Sequence, residues 1–339
     1  MYFVLYDRFL KSLGETYALE SWSRVQRSSD FDTMKIVGEQ IPHWVDPFFV
    51  VVNDNHGRPL FSGLASTPQT DDRAKKTTLS LKDYTTLFNS EIAINWLKLP
   101  QTSTLAGYID FVLSAWLSQT DVGFSKILWD TSDIQDIPWD ENIPIPTDWE
   151  VSSVYSIIQS AISLHDVYME GYLAIWDKSL TFRFKKQGVL TTDIRLSDFG
   201  TPSVQKSFGD INRVVIYNTG YSKIQELAIT ENNKIVKLPS SESLVYPAKS
   251  KIYVGDSNST IYDAVSHLAD NRFQENIDLD SNASTLNADL SEMDFRYMVN
   301  VYTDGGFYKE LPVGEIETDS KGKRIVRLGL RIQEFTQGG

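Results

Sequence analysis

Short runs of alternating apolar and polar residues in the first hundred positions predict antiparallel strands. The apolar run 48–52 precedes a polar turn at 53–57, and residues 58–64 return as a second strand. A polar link at 71–76 leads into another strand at 77–81. The opening residues are apolar, but Asp7 and Arg8 follow them and no small-residue cleavage site appears. We therefore interpret them as a first strand and not as a signal peptide.

Helical spacing replaces this alternation between about residues 100 and 180. Thr104 is a predicted N-cap for apolar positions that recur from Leu105 to Trp116, and Ser153 precedes a second amphipathic helix that includes His165. The proline-rich stretch 129–149 between the two helices predicts a long loop. Residues 172–184 then have the pattern of a hairpin, which indicates a small α+β insertion.

Strand patterning returns after about residue 200. Residues 212–218 predict a strand, residues 224–237 predict a hairpin, and residues 297–332 predict further strands and turns. Between them, Thr260 is a predicted cap for a helix that runs to about Gln274, with Asp263 in its first turn.

Two distant segments repeat the same order of elements. FFVVVNDNHGRPLFSGLASTP precedes RAKKTTLSL near the start, and YMVNVYTDGGFYKELPVGEIET precedes KGKRIVRLGL near the end. Each has an apolar run, a polar turn with glycine, and an aromatic return strand that contains Gly63 or Gly314. A basic link into an alternating strand follows in both. Such repetition predicts two similar structural units, although a meander of unrelated hairpins also alternates in this way.

The predicted fold class is mixed and mainly β, with two related antiparallel β-barrel domains and an α+β insertion between them. The expected domains are a first barrel at 1–100, the α+β insertion at 101–200, and a second barrel-containing domain at 201–335 with one helix near 260–274. A chain of 339 residues is long enough for more than one hydrophobic core.

Composition narrows the classes of function. The chain contains no cysteine, which excludes disulfides, zinc–thiolate sites and thiol nucleophiles within it. Its formal net charge of −13 argues against a large nucleic-acid footprint, because neutralising phosphates requires clustered Lys and Arg. No apolar run reaches the roughly 18 residues that a membrane span needs.

Several short motifs resemble one known family. The turn DNHG at 54–57, the strand LFSG at 60–63, the block TLSLKDYTTL at 78–87 and the strand NRVVIYN at 212–218 are similar to motifs of bacteriophage tail-hub proteins. That family includes baseplate hubs of contractile tails and the N-terminal modules of tail-associated lysin-like (Tal) baseplate proteins of siphophages. The chain resembles such a hub without a lytic domain.

The resemblance implies an architecture and a set of partners. Two homologous barrels per subunit would form, in a homotrimer, a hub ring with pseudo-sixfold symmetry that closes the distal end of the tail tube and opens for DNA release. The implied partners are the distal tail protein, the tail tube, receptor-binding proteins and the tape-measure protein. DNA would pass through the lumen without specific binding. The implied location is the tail tip of the virion, after assembly in the host cytoplasm.

No catalytic, cofactor-binding or metal-binding residue is assigned, and the chain is not expected to be an enzyme. No metalloprotease, nucleophile-elbow or P-loop motif occurs, and His43, His56, His165 and His267 lie in no catalytic pattern. The proline-rich stretch carries an acidic cluster that could supply a glycosidase pair, although such loops are usually only solvated. Its members are Asp130, Asp133, Asp136, Asp140 and Glu141.

A weak calcium-loop pattern occurs near residue 280. Asp278, Asp280, Asn282 and Asp289 match its positions 1, 3, 5 and 12. Ala283 replaces the glycine of the sharp turn, and aspartate replaces the terminal glutamate. The sequence leaves calcium binding at these residues open.

Two other functions remain as alternatives to a structural hub. A carbohydrate-binding receptor or adhesion protein would use exposed aromatic residues, and a peptidoglycan hydrolase module would need a carboxylate pair. Trp129, Trp139 and Trp149 lie in the proline-rich stretch, where they could pack between subunits or cover their own domain. The sequence also leaves open whether a lytic domain follows Gly339.

Overall fold

In the computed structural model, the described residues are 1–28, 30–42, 45, 47–98, 104–120, 124, 126–138, 149–162, 165–175, 178–199, 202–207, 209–231, 234–256, 260, 263–265, 267–268, 271–280 and 290–329. Most of them belong to β-strands that are gathered in four sheets. The prediction of a mixed, mainly β fold is confirmed.

The N-terminal strands form a closed barrel. They are β1 (Tyr2–Tyr6), β2 (Ser12–Arg27), β3 (Thr33–Glu39), β4 (Phe49–Asn53), β5 (Pro59–Ala65), the short β6 (Gln69–Asp71) and β7 (Lys76–Lys82). Six of them follow the order β1-β4-β5-β7-β3-β2, and pairing of β1 with β2 closes the circle. Alternate residues such as Phe3, Leu5, Val50 and Val52 point into one core.

The repeated glycine of the return strand has a steric role in the first barrel. A Cβ atom on Gly63 would lie 2.3 Å from the carbonyl oxygen of Lys82. Strand β5 meets β7 at this point, where Leu64 pairs with Lys82 and Ala65 pairs with Leu81. The absence of a side chain therefore allows the two strands to approach and the barrel to close.

An α+β unit follows the first barrel. Its strands are β8 (Glu91–Asn95), β9 (Lys126–Asp130), β10 (Trp149–Ser153), β11 (Val167–Ala174) and β12 (Ser179–Lys186), and its α-helices are α1 (Leu105–Gln119) and α2 (Val154–Ile162). Short 3-10 helices span Tyr84–Asn89, Trp96–Lys98 and Ser132–Ile134. Both α-helices bury their apolar faces against the sheet β11-β12-β9 in a single core.

Capping residues place both α-helices as the sequence predicts. The Thr104 hydroxyl accepts a hydrogen bond from the Gly107 amide at 3.3 Å, and the Ser153 hydroxyl accepts one from the Ser156 amide at 3.1 Å. The second helix is shorter than predicted. It ends at Ile162, and His165 lies in the turn before β11.

The predicted loop at 129–149 is wrong at both of its ends. Trp129 and Asp130 complete β9, which runs parallel to β12, and Trp149 begins β10, which pairs with β8. These strands find partners far away in sequence, so tertiary pairing overrides the local signal of the prolines. Residues 139–148 lie outside the described part of the chain.

The remaining strands begin at residue 190. They are β13 (Leu190–Arg195), β14 (Ser203–Ser207), β15 (Arg213–Tyr217), β16 (Lys223–Ile229), β17 (Ile235–Lys237), β18 (Ser250–Val254), β19 (Gln274–Asp280), β20 (Tyr297–Thr303), β21 (Gly306–Asp319) and β22 (Arg324–Leu328). A 3-10 helix spans Leu196–Asp198. The strands divide into a second barrel-like unit and a smaller lobe.

The second unit repeats the strand order of the first. Its order β13-β20-β21-β22-β19-β14 corresponds to β1-β4-β5-β7-β3-β2, so the sequence repeat is also a repeat of topology. One pair departs from the antiparallel pattern, because β13 runs parallel to β20. Within the described residues β13 and β14 do not pair with each other, whereas β1 and β2 do.

A four-stranded lobe lies between β14 and β19 in the chain. Its order is β17-β16-β15-β18, and the sheet shares a core with helical residues that include Ala264, Val265 and Leu268. The predicted helix at 260–274 is too long, because Gln274 already begins β19. The predicted domain boundaries at residues 100 and 200 stay a prediction.

A continuous sheet joins the two barrel units. The second half of β2 (residues 23–27) pairs with residues 315–319 of β21, and the Ser28 amide donates to the Gly314 carbonyl at 3.0 Å. Among the described residues, the resulting sheet contains thirteen strands. The two units are therefore connected by backbone hydrogen bonds as well as by side chains.

Candidate functional site

A cleft of about 330 Å³ lies where the two barrel units and the α+β unit meet. Arg24 and Asp32 contribute from the first barrel, Asp83 from the start of the 3-10 helix, Glu170 from β11, and Phe295 from the segment before β20. No sequence motif indicated this cleft, because its residues are brought together by three separate structural units.

Two carboxyl groups, those of Asp32 and Asp83, meet in this cleft. The Asp32 amide donates to Asp83 Oδ2 at 3.2 Å, and Asp83 caps the 3-10 helix by accepting hydrogen bonds from the Thr85 amide and hydroxyl. Arg24 Nη2 lies 3.1 Å from Asp32 Oδ2. Burial and the neighbouring Asp32 charge raise the pKa of Asp83 to about 7, against the hydrogen bonds from Thr85 and Asp32.

The other charges of the cleft are also paired. Arg27 Nε lies 2.9 Å from Glu315 Oε2, and Lys185 Nζ lies 3.0 Å from Glu170 Oε2. The Tyr172 hydroxyl donates to Glu170 Oε2 at 2.6 Å. The Arg27–Glu315 pair joins the two barrel units, whereas both contacts of Glu170 lie within the α+β unit.

An ion-pair chain extends from the cleft across the junction of the barrels. Glu315 accepts hydrogen bonds from both Arg27 and Arg327, and Arg327 also binds both oxygens of Asp278. Arg27 lies on β2, while the other members lie on β21, β22 and β19. The chain therefore connects the first unit with three strands of the second.

The ion-pair chain includes one residue of the calcium-loop pattern. Asp278 and Asp280 lie in β19, where Asp278 binds Arg327 and Asp280 lies 3.8 Å from Lys323. Asn282 and Asp289 lie outside the described residues. Within the described ranges, no three His, Asp or Glu side chains are placed to hold a metal ion.

The described members of the predicted acidic cluster do not come together in one site. Asp130 accepts from the Ser132 amide at 3.0 Å, Asp133 lies in a 3-10 helix, and Asp136 pairs with Lys186 at 2.6 Å. Hydrogen bonds from Ser132 and Lys186 lower the pKa values of Asp130 and Asp136, respectively. Asp140 and Glu141 lie outside the described residues.

The structure describes Trp129 and the backbone of Trp149 in the proline-rich stretch. Trp129 packs against the core of the α+β unit, and its Nε1 donates to Asp110 Oδ1 at 2.7 Å. This side chain covers its own unit. The backbone of Trp149 pairs with that of Asn95, whereas Trp139 lies outside the described residues.

The described histidines also occupy separate places. The His56 amide donates to Asp54 Oδ1 in the β4–β5 turn, and His267 Nδ1 lies 2.8 Å from the Tyr253 hydroxyl in the small lobe. His165 lies in the turn before β11, and His43 lies outside the described residues. None of the three described histidines contributes to the cleft.

Sequence reasoning also missed a buried glutamate in the second barrel unit. Only 4% of the Glu275 side chain is exposed, and Lys309 and Lys206 lie 2.9 and 3.0 Å from its oxygens. The Tyr308 hydroxyl donates a further hydrogen bond. Burial alone would raise the pKa of Glu275, but these three donors outweigh it and lower the pKa to about 2.

Glu275→Gln is expected to remove part of the acid sensitivity of the protein. The folded pKa lies below the unfolded value of 4.5, so Glu275 stabilises the fold above pH 4.5 and loses this effect as pH falls towards 2. Near neutral pH the variant should lose about 1–2 kcal/mol of unfolding free energy. Urea unfolding from pH 7 to pH 2.5 measures both effects. The exposed Glu292→Gln is the control, and equal pH profiles for the two variants would contradict the prediction.

Comparisons with known proteins bear on the fold. No protein-family model matches the chain, and no curated protein matches it in sequence. No helix in the described ranges is long and apolar enough to cross a membrane.

Solved structures with a similar fold cover almost the whole chain. The tail protein from Neisseria meningitidis MC58 matches 97% of this chain and 95% of its own, and the 43 kDa tail protein of prophage MuSo2 from Shewanella oneidensis matches 98% and 99%. Prophage tail protein gp18 from Listeria monocytogenes EGD-e matches 98% and 96%. Each has a TM-score of 0.52 and 12% sequence identity. The chain therefore has the fold of these tail proteins.

Proposed function

We propose that the chain is a structural subunit of a phage tail tip or baseplate. Three copies form a hub ring that closes the distal end of the tail tube and opens for DNA release. The observation that carries this proposal is the repeated strand order of two barrel units within one chain. Three such chains place six similar units around an axis, which suits a closed ring on a hexameric tube.

The partners and location of this ring belong to the same proposal. The distal tail protein and the tail tube lie above it, and receptor-binding and tape-measure proteins are further neighbours. DNA passes through the lumen without specific binding, which the net charge of −13 supports. The ring resides at the tail tip of the virion after assembly in the host cytoplasm. Similarity of fold to three tail proteins supports this placement.

The features of the described residues favour a structural role over the two alternatives. In the cleft, Asp32 and Glu170 are paired with Arg24 and Lys185, and Asp83 accepts hydrogen bonds from Thr85. The described carboxylates of the proline-rich stretch are engaged separately. Asp32 is bound by Arg24 and Asp83 caps the 3-10 helix, and this engagement of both carboxyl groups argues against a catalytic pair that is free to act on a substrate. Trp129 packs against the core of its own unit and its Nε1 donates to Asp110 Oδ1, which favours a structural role for this side chain.

Light scattering coupled to size-exclusion chromatography tests the ring. For the protein alone, the expected mass is three times the subunit mass of 38.5 kDa. With the distal tail protein, the complex should contain three copies of this chain in addition to the mass of the partner. Electron microscopy of the same fractions should show a ring with six similar lobes. A monomer under both conditions would contradict the proposal, as would lysis or saccharide binding by a purified monomer.

A further inference from the structure

The Asp32–Asp83 carboxyl pair lies at the point where the chain leaves the first barrel. Asp83 directly follows β7 and caps the 3-10 helix Tyr84–Asn89, while Asp32 directly precedes β3. The hydrogen bond from the Asp32 amide to Asp83 Oδ2 therefore joins the edge of the barrel to the beginning of this helix.

This 3-10 helix docks the barrel onto the α+β unit. Tyr84 and Phe88 are fully buried in the α+β core, and Phe88 packs against Phe182 with a ring-centroid distance of 4.3 Å. Strand β11 approaches so closely that a Cβ atom on Gly171 would lie 3.1 Å from Tyr84 Cβ. A change at the helix cap consequently acts on the contact between two units.

The two carboxyl groups have unequal surroundings. Asp32 has a cationic partner in Arg24 and accepts from the Arg27 amide at 3.0 Å. Within the part of the chain that the structure describes, the donors to Asp83 are neutral and belong to Thr85 and the Asp32 amide. Burial raises the pKa of Asp32 as well as that of Asp83. Since a cation stabilises a carboxylate more than neutral donors do, Asp83 binds a proton more readily than Asp32.

Other ionisable groups also face the pair. Tyr84 follows Asp83 on the 3-10 helix, where burial and, to a smaller extent, the Asp83 charge raise the pKa of its hydroxyl, and Arg27 lines the same cleft with its guanidinium bound to Glu315. On β11, Glu170 adds negative charge to the surroundings of Asp32, although Lys185 pairs with it. On α2, Tyr155 packs against Phe31 at 4.4 Å between ring centroids. Asp30 lies on the turn that precedes Asp32. None of these groups supplies a second cation beside Asp83.

We propose that Asp32 and Asp83 hold one proton between them, and that loss of this proton loosens the contact between the first barrel and the α+β unit. Two carboxylates in one buried site repel each other, and the repulsion acts on the cap of the docking helix. The pair lies within a single chain, so this inference does not rest on the proposed ring.

The expected pH dependence follows from the raised pKa of Asp83. Its folded value of about 7 exceeds the ordinary value of 3.8. Asp83 therefore stabilises the contact at low pH, and this effect is lost as pH rises through about 7. The contact should be tight at pH 6 and looser at pH 8.5.

Hydrogen–deuterium exchange on the full chain tests this inference, with rates corrected for the intrinsic effect of pH. The protection factors of peptides covering residues 82–90 and 167–174 should fall by about tenfold between pH 6 and pH 8.5, since Asp83 passes through its pKa of about 7 in this range. Peptides covering 297–303 in β20 should not change. Equal loss of protection in both regions would overturn the inference.

Three variants distinguish an effect of the carboxyl pair from a change in the overall stability of the protein. In Asp83→Asn the pH response of the docking peptides should disappear, because the neutral amide cannot ionise. In Asp32→Asn the midpoint should move to lower pH, since Asp83 no longer faces a negative neighbour. Asp54→Asn, in the exposed β4–β5 turn of the same barrel, is the matched control and should keep the wild-type response. A folded Asp83→Asn or Asp32→Asn protein with an unchanged midpoint would overturn the inference.

Discussion

Replacing Glu315 with alanine should lower the free energy of unfolding by about 2–4 kcal/mol. Glu315 is the shared partner of Arg27 and Arg327, and its side chain is only 10% exposed. Removing one partner of a buried ion pair costs about 3–5 kcal/mol, because the remaining charge loses its compensation. The expected cost is lower because Arg27 also binds the Phe31 carbonyl and Arg327 keeps Asp278.

Chemical denaturation followed by tryptophan fluorescence measures this loss. The exposed pair of Lys76 and Glu20, with side chains 43% and 46% exposed, provides the control. Glu20→Ala should change stability by less than about 1 kcal/mol, as is usual for surface pairs. Equal losses in Glu315→Ala and Glu20→Ala would show that the ion-pair chain does not stabilise the junction of the barrels.

Trp116→Ala should destabilise the α+β unit by about 3–5 kcal/mol, the usual range for removing a buried large aromatic side chain. Trp116 is fully buried and packs edge-on against Phe88 at 4.9 Å between ring centroids. Its Nε1 also donates to the Ser90 hydroxyl at 2.8 Å. The substitution leaves a cavity beneath the docking helix and removes the donor of a buried hydrogen bond.

Thermal and urea unfolding should place Trp116→Phe between Trp116→Ala and the wild type, because phenylalanine retains most of the packing and loses the hydrogen bond. Leu97→Ala removes a side chain that is 72% exposed and should have an effect within about 0.5 kcal/mol. A loss of less than about 1 kcal/mol in Trp116→Ala would contradict the described packing.

Local patterns predicted the elements that are stabilised locally. The β4–β5 hairpin and the strands β20 to β22 follow alternation and turn residues, and both α-helices begin where a hydroxyl side chain caps them. The same signals indicated the repeated topology, because an apolar strand, a polar turn and a basic link follow one another in the same order in both barrel units. Periodicity and capping carry this information within a few residues.

Contacts between distant residues could not be predicted in this way. The parallel partner of β13 is β20, which lies about a hundred residues later, and β9 pairs with β12 across the proline-rich stretch. Asp32 and Asp83 are 51 positions apart, and the block at 78–87 that contains Asp83 gives no indication of a contact with Asp32. In the sequence, Glu275 cannot be distinguished from any other glutamate of a strand. Its partners Lys206 and Lys309 come from the separate strands β14 and β21. Such sites depend on tertiary pairing, which local propensity does not encode.

The strand pairing between β2 and β21 has a mechanical consequence. Five residue pairs connect the first barrel to the second, from Ser23 with Asp319 to Arg27 with Glu315. Hydrogen bonds of an antiparallel ladder run perpendicular to the strands. A force along the strand axes therefore loads all of these bonds together in shear, whereas a force across them breaks the bonds one after another. The junction of the two barrels should therefore resist a force along these strands better than a force that peels the barrels apart from one end.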